Sequence, residues 1–484
     1  MDKVKKYFLK MIAVFLVAML FMSCKEQAEI APVLTVSTSE IHFAPEGGVD
    51  TMTIECNDQW SISNSAASWL QLSQTSGNNS TTTIRLTIAS ANTTGATRSV
   101  ILIISSQNGQ ARRVTVSQAA QIFPSYNTSP KAPDQTGMGS TATQLIAKIK
   151  LGVNIGNTFE LSAWNQPDPT EAYIQLLKES GFNAVRLPGG WYLNSNKKTA
   201  KINDSYMARV KQTVQWCVDR DMYVLLNIHW DGGWLEQNCT LAKKDSVNAR
   251  QKALWEQIAT AMRDFDEHLM FASANEPNAD NAEQMNVLLS YHKTFIDAVR
   301  STGGRNTYRT LVLQGHTDYI KPENFPADPT PNRLAFEWHN YTPSSFTILY
   351  NDRNETPPGW DDVRFYWGEG NYSSIEPGRN CTYGFESDLL AGYNQIKTRF
   401  IDKGIPCLMG EYSAQRWTAT RNKFVPREMD KHNKSVDDWI TFNTKQCKAI
   451  GAAPFYWETG GVFDRVNNVV LDQRSLDALI AGSK

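Results

Sequence analysis

The sequence predicts a multidomain chain: a β-sandwich over residues 32–120, then a (β/α)8 TIM barrel over 140–484. Three observations carry this. At 484 residues the chain exceeds one ordinary domain and can bury a large core. Up to residue 120, apolar residues alternate with period two between turn clusters, and helical periodicity is missing. Beyond residue 140, short apolar runs alternate with amphipathic stretches, as in repeated β/α units.

Residues 1–23 read as an export signal. Lys3, Lys5 and Lys6 precede an apolar run over 11–22, shorter than a comfortable membrane span. Ser23-Cys24 closes the run and, with Phe21 and Met22 before it, resembles a relaxed lipobox of bacterial lipoproteins. By that resemblance Cys24 would be acylated and would anchor the chain at the outer membrane, on the cell surface.

In the sandwich, Thr51-Met52-Thr53-Ile54, Thr83-Ile84-Arg85-Leu86-Thr87-Ile88 and Val114-Thr115-Val116 alternate apolar and polar residues. Gly77-Asn78-Asn79-Ser80 and Asn108-Gly109 supply turns. Trp60 and Trp69 adjoin apolar strand residues and are expected in the core. Residues 121–139 read as a linker that Pro124, Pro130 and Pro133 would keep extended and stiff.

In the barrel, strands are predicted at 152–155, 183–187, 223–229, 269–274, 310–313, 334–338, 406–409 and 454–457. Helical stretches fall between them, for example at 171–180, 205–219, 247–265, 282–299 and 388–401.

Charge is balanced, 48 basic against 49 acidic residues, with no basic block outside the extreme N-terminus, so nothing draws the chain to nucleic acid. Fourteen tryptophans suit a protein that stacks rings on sugar faces. Beyond Cys24, the cysteines Cys56, Cys217, Cys239, Cys381, Cys407 and Cys447 show no Cys-x-x-Cys spacing. No metal site is expected, and no disulfide is predicted.

Barrel enzymes carry their chemistry at the C-terminal strand ends. Strand two ends in Arg186, strand three in His229, strand four in Asn275-Glu276-Pro277 and strand six in His339-Asn340-Tyr341. Strand seven ends in Glu411 and strand eight in Trp457. Two carboxylates on one rim form the pair that glycoside hydrolysis needs: an acid for the leaving oxygen and a carboxylate to attack the anomeric carbon. Arg186 would keep one carboxylate ionised, and that charge would raise the pKa of the other. Such a pair requires no cofactor.

Softer candidates for the cleft walls are Trp164, Trp191, Trp230 and Trp234, with Tyr350, Trp360, Phe365, Tyr366, Trp367 and Tyr372 in the long segment 342–384. Core packing is the competing reading for each. Glu337, Glu369 and Glu458 are expected to support the site from outside or to be solvated.

Residues 32–120 resemble the immunoglobulin-like BACON module. The match rests on Ala44-Pro45-Glu46-Gly47-Gly48, Trp60-Ser61-Ile62, Trp69-Leu70-Gln71-Leu72 and Val114-Thr115-Val116-Ser117-Gln118-Ala119. Residues 141–484 resemble glycoside hydrolase family five, in its cellulase and xyloglucanase branch. The motifs are Leu151-Gly152-Val153-Asn154-Ile155-Gly156-Asn157-Thr158, Val185-Arg186-Leu187-Pro188 and Leu226-Asn227-Ile228-His229-Trp230-Asp231. Then follow Ala274-Asn275-Glu276-Pro277, His339-Asn340-Tyr341, Gly410-Glu411-Tyr412 and Phe455-Tyr456-Trp457-Glu458. Trp230 stands where the family often has a second His.

The resemblance implies Glu276 as acid/base and Glu411 as nucleophile. It implies Asn275 on the sugar 2-OH, Arg186 and Tyr341 holding Glu411, His229 and His339 completing the hydrogen-bond network, and Trp457 as the floor. The implied protein is a monomeric, retaining endo-β-1,4-glucanase with a β-glucan substrate, xyloglucan favoured. The alternatives are a cellulase, a mixed-linkage glucanase or a mannanase on the same frame, and a non-catalytic glycan-binding protein.

Overall fold

The computed structural model describes residues 31–94, 96–161, 166–348, 363–417 and 425–484. The expected signal and Cys24 lie outside the described residues, as do Trp164, Tyr350 and Trp360. The chain divides into two compact units, up to Ile122 and from Phe123.

The first unit is two sheets on one core. Strands Leu34–Val36, Gly48–Cys56, Ser80–Ile88 and Gln71–Leu72 form one sheet, in that order. Glu40–Phe43, Ala111–Gln118, Arg98–Ser106, Trp60–Ser63 and Ser76–Gly77 form the other. Alternation decides which residues go inside: in Arg98–Ser106, Val100, Leu102 and Ile104 are buried, while Ile101 and Ile103 face out. Trp60 joins the core, as expected. Trp69 is only partly buried and carries the Arg98 guanidinium 4.6 Å above its ring.

The second unit is a closed barrel of eight parallel strands in sequence order. We number them β1 (Gly152–Asn154), β2 (Ala184–Leu187), β3 (Tyr223–Asn227), β4 (Leu269–Ala272), β5 (Leu311–Gln314), β6 (Leu334–His339), β7 (Cys407–Tyr412) and β8 (Ala453–Tyr456). Among the described residues, the helices longer than one turn are α1 (Ala142–Lys148), α2 (Glu171–Glu179), α3 (Asp204–Val218), α4 (Lys244–Met262), α5 (Ala282–Ser301), α6 (Glu386–Arg399), α7 (Met429–Ala449) and α8 (Gln473–Ser483). All eight expected strands form. The repeat is incomplete at one point: the β5–β6 connection holds only a short 3-10 turn, Pro322–Asn324.

Local chemistry sets the helix boundaries. The Thr170 hydroxyl accepts from Tyr173 N and starts α2, and Asn281 does the same for α5 through Gln284 N. On α5, Met285, Leu288, His292, Phe295, Ile296 and Val299 recur at helical spacing and are buried. Full burial of each large apolar side chain contributes about 1.5–3 kcal/mol. Leu145 and Ile146 of α1, with Ile149, pack on barrel residues such as Leu225, Met270, Val312 and Leu408. All six cysteines among the described residues are buried free thiols.

The expected linker is extended, yet residues 123–139 belong to the barrel unit and are not a free spacer. Backbone N–H groups in short supply of partners find buried charges there. Glu256 of α4 accepts from Tyr126 N at 2.6 Å, and Arg263 donates to Ser129 O at 2.8 Å. Lys131 and Pro133 pair in parallel with Gly303 and Gly304, and Arg333 donates to Met138 O at 2.9 Å.

This docking makes a prediction about truncation. A chain starting at Phe123 should keep the thermal stability of the barrel and its kcat/KM on soluble oligosaccharides. One starting at Gly139 loses hydrogen bonds to charged groups, each contributing about 1.5–3 kcal/mol, and should melt several degrees lower. Equal melting temperatures would show that the segment contributes nothing.

Candidate active site

Strand register brings the expected residues to one rim. Arg186 is fully buried on β2, whose four residues are all buried. Its Nη1 lies 2.7 Å from Glu411 Oε1 and 2.9 Å from Asn154 Oδ1. Its Nη2 donates to Asn275 Oδ1 at 2.7 Å, and its Nε lies 2.9 Å from Glu337 Oε1. Burial opposes the charge, but Glu337 and Glu411 outweigh it and raise the Arg186 pKa further. With its oxygen occupied by Arg186, Asn275 keeps its amide N–H groups for a ligand hydroxyl.

Glu411, at the end of β7, is buried and fixed from both sides. Arg186 holds Oε1, and the Tyr341 hydroxyl donates to Oε2 at 2.9 Å. Burial, together with the Glu411 charge, pushes the Tyr341 pKa well up, so the phenol remains a donor.

Glu276 follows β4 in a different setting. Its side chain is 56% exposed, and its backbone is left-handed, with φ of 45°. A non-glycine residue there stores about 1–3 kcal/mol of strain. Gln314 of β5 restrains it by accepting from Glu276 N at 2.5 Å. One oxygen of Glu276 and one of Glu411 lie within 4.8 Å of each other, and a His339 nitrogen lies within that distance of both. These three side chains also have the spacing of metal ligands, but the Arg186 cation beside Glu411 opposes a second positive charge there.

His339 is the hub between the carboxylates. Its Nδ1 is 2.7 Å from Glu276 Oε1 and 3.7 Å from Glu411 Oε2. Its Nε2 meets Glu337 Oε1 at 3.1 Å and the Gln314 amide nitrogen at 3.0 Å. Each ring nitrogen therefore has a carboxylate to accept its proton, as an imidazolium requires. Burial pulls its pKa down, but Glu411, Glu276 and Glu337 together push it up to about 9.

This corrects one expectation. Glu276 was expected to have a raised pKa. Burial does raise it, but the hydrogen bond and charge of His339, with Arg186 behind, bring the net below the ordinary value. In the free site the proton sits on His339 and Glu276 is ionised.

His229 has a narrower role than expected. Its Nε2 is 3.9 Å from Glu411 Oε1, beyond hydrogen-bond reach. Burial and the Arg186 charge hold its pKa well down, so it is neutral. Asn227 contacts its Nδ1 at 3.3 Å, and its ring stacks on Trp457 at 5.4 Å with the planes 6° apart. His229 thus fixes the orientation of the Trp457 ring.

Glu337 was not expected at the centre. It is fully buried and bridges Arg186 and His339. One sequence sign could have found it, its place two residues before His339 on one strand and hence on the same face; in the structure, a Cβ on Gly410 would collide with its carboxylate. Asn154 and Gln314 are inward-facing strand residues of the same kind. Glu458 is buried on Arg465, 3.1 Å away, and Glu369 is exposed. Of the aromatics, Trp191, Trp234, Phe365, Tyr366 and Trp367 are buried, Tyr372 packs partly buried on the Phe365 cluster, and Trp230 is exposed.

A (β/α)8 barrel whose C-terminal rim carries two close carboxylates, one clamped by Arg and Tyr and one exposed on a His, defines a glycoside hydrolase. Residues 148–461 match the cellulase family, glycosyl hydrolase family 5, and the chain belongs to it. Residues 59–119 match BACON, an N-terminal binding-domain family. The chain is 31% identical to a xyloglucan-specific endo-β-1,4-glucanase of Bacteroides ovatus, across 96% of this chain and 94% of that one. It resembles the structure of a Bacteroides ovatus GH5 xyloglucanase in complex with a XXXG heptasaccharide, with TM-score 0.67 and 30% identity, over 93% of this chain and 100% of that one. A GH5 xyloglucan-specific β-1,4-glucanase from a ruminal metagenomic library, in complex with XXLG, gives TM-score 0.64 at 30% identity, over 71% and 96% of the two chains.

The hub sets a pH dependence. The His339 pKa is raised from 6.5 to about 9, so its charge is complete below about 6.5 and is lost as pH rises through about 9. The alkaline limb of kcat/KM should fall near pH 9, reporting the proton shared by His339 and Glu276. Glu337→Gln removes one carboxylate from the hub and should move that limb toward neutrality. An unchanged limb in the folded variant would rule out this positioning role for Glu337.

Proposed function

We propose that the protein is a retaining endo-β-1,4-glucanase whose preferred substrate is xyloglucan. The separation of the carboxylates carries the mechanism. One oxygen of each lies within 4.8 Å of the other, closer than the about 6.5–9.5 Å of inverting pairs and in keeping with the about 5–5.5 Å of retaining ones.

Glu411, ionised and aimed by Arg186 and Tyr341, attacks the anomeric carbon. The glycosidic C–O bond breaks, and Glu276, recharged by the His339 proton, protonates the departing oxygen. A water then enters where the leaving chain stood, gives a proton to Glu276 and releases the sugar from Glu411. Configuration is retained through two inversions. Asn275 holds the 2-OH, and Trp457 supports the ring.

The substrate reading rests on the xyloglucan-specific relatives, which match this chain along nearly its whole length. The Ser23-Cys24 spelling supports an exported lipoprotein acylated at Cys24 on the outer membrane, where a polymer too large to import would be met. Loss of membrane association in Cys24→Ala tests that anchor.

Glu411→Ala should abolish turnover while leaving the fold and glycan binding intact. Near-normal activity in the purified variant would overturn the assignment. Glu276→Ala should lower activity on polysaccharide by about 10²–10⁴, the usual worth of general acid catalysis, and spare the first step on aryl glycosides with good leaving groups. NMR of the initial product should show the β-anomer; an α-anomer would mean inversion. Initial rates on xyloglucan, mixed-linkage glucan, soluble cellulose and mannan decide the substrate: kcat/KM should be highest on xyloglucan.

A further inference from the structure

A cavity of about 400 Å³ opens beside the reacting pair, within the range of small-molecule sites, about 300–1,000 Å³. Glu276 and His339 form one wall, and α6 forms the opposite one. Glu411, Arg186, Tyr341 and Trp457 take no part in its lining. The cavity therefore lies on the acid's side of the carboxylate pair, away from the nucleophile and the sugar floor. What sits beyond the acid in a glycosidase is the departing chain.

Its direction matters. It passes from the ends of β5 and β6 toward α6, outside the barrel strands, where the β5–β6 connection supplies no α-helix. An unbranched glucan backbone lying across the rim would send no more than a hydroxymethyl group there. A sugar branched from O6 of the backbone does.

The helix wall is built for room. Asp388, Gly392 and Gln395 line the cavity at helical spacing, beside the buried Leu389, Tyr393 and Ile396. Gly392 stands at the middle of that polar stripe. Glycine is a poor residue in a helix interior, and no local constraint demands it: a Cβ there would meet no atom within 4 Å. Its effect is to leave the space empty. Asp388, Gln395 and His316 across the cavity offer donors and acceptors suited to the hydroxyls of a neutral sugar.

We propose that this cavity is a subsite for the α-1,6-xylosyl branch on the first glucose of the leaving chain, with Gly392 as the specificity-determining residue that keeps it open. The assignment rests on the xyloglucan reading above and adds where the branch is recognised. Cleavage after an unbranched glucose then needs a branched glucose next in line, and the enzyme reads both.

The test uses the full chain and two sets of xyloglucan-derived oligosaccharides, in which the leaving glucose does or does not carry xylose. Wild type should prefer the branched leaving group by about tenfold in kcat/KM, as a filled pocket typically provides. Gly392→Leu should abolish that preference and leave kcat/KM on the unbranched leaving group within twofold. Gly392→Ala, smaller and a better helix former, should raise the melting temperature and keep most of the preference. Wild type that cleaves xyloglucan without preferring the branched leaving group overturns the cavity assignment and leaves the substrate reading standing, as does a folded Gly392→Leu with its preference intact. Should Gly392→Leu not fold, loss of the preference in Gln395→Leu supports the assignment, and its retention overturns it. Wild type inactive on xyloglucan overturns both.

Discussion

The structure of the site depends on one buried cation. Arg186 sits with no exposed side-chain surface inside a barrel of apolar strands, where an isolated charge costs several kcal/mol. Two carboxylates, Glu337 and Glu411, and two amide oxygens, of Asn154 and Asn275, surround it. Each partner comes from a different strand, so the guanidinium fixes the mutual register of β1, β2, β6 and β7 and of the segment after β4. Removing it would strand two buried negative charges, a change that typically costs about 3–5 kcal/mol. The same clamp that makes the charge tolerable also holds the Glu411 carboxylate in one orientation.

From that centre the two carboxylates diverge by environment rather than by chemistry. Glu411 is buried and accepts from Arg186 and Tyr341, so its lone pairs are aimed and its charge is secure. Glu276 is half exposed, on a strained backbone, and its side-chain partner is itself titratable. One group is held still and the other is free to exchange a proton. That asymmetry suits the double displacement proposed above, in which the nucleophile would change its bonding while the acid would change its protonation twice.

Much of this was legible in the sequence. Strand ends could be found because apolar runs mark the strands, and residues with unusual chemistry cluster just after them: Arg186, Asn275-Glu276, His339, Tyr341, Glu411 and Trp457. Glu337, Asn154 and Gln314 were harder, because they lie inside the strands and an inward polar residue looks like an irregularity until its partners are known. Glu337 is unremarkable alone; it becomes central only when β2 brings Arg186 against it. The docking of residues 123–139 was invisible for a similar reason. A Pro-containing polar stretch reads as a spacer, and only tertiary contact shows that Glu256 and Arg263 are waiting for its backbone. The pKa of Glu276 runs against the sequence expectation because the imidazole between the carboxylates outweighs the neighbouring negative charge.

That imidazole resolves an apparent contradiction. An acid catalyst must carry a proton, yet Glu276 in the free site has lost its own. The proton is one hydrogen bond away, on a ring held charged by three carboxylates. Moving it along the 2.7 Å contact from Nδ1 to Oε1 leaves the number of protons in the site unchanged. The balance is set by water: Glu276 is more than half exposed, and solvent favours its ionised form. A glycan lying over it excludes that water, which favours the neutral acid. On the other side of the ring, Nε2 keeps its proton throughout and goes on donating to Glu337 Oε1 at 3.1 Å. Substrate binding would thus move the proton to the residue that needs it, and only while a sugar covers the site.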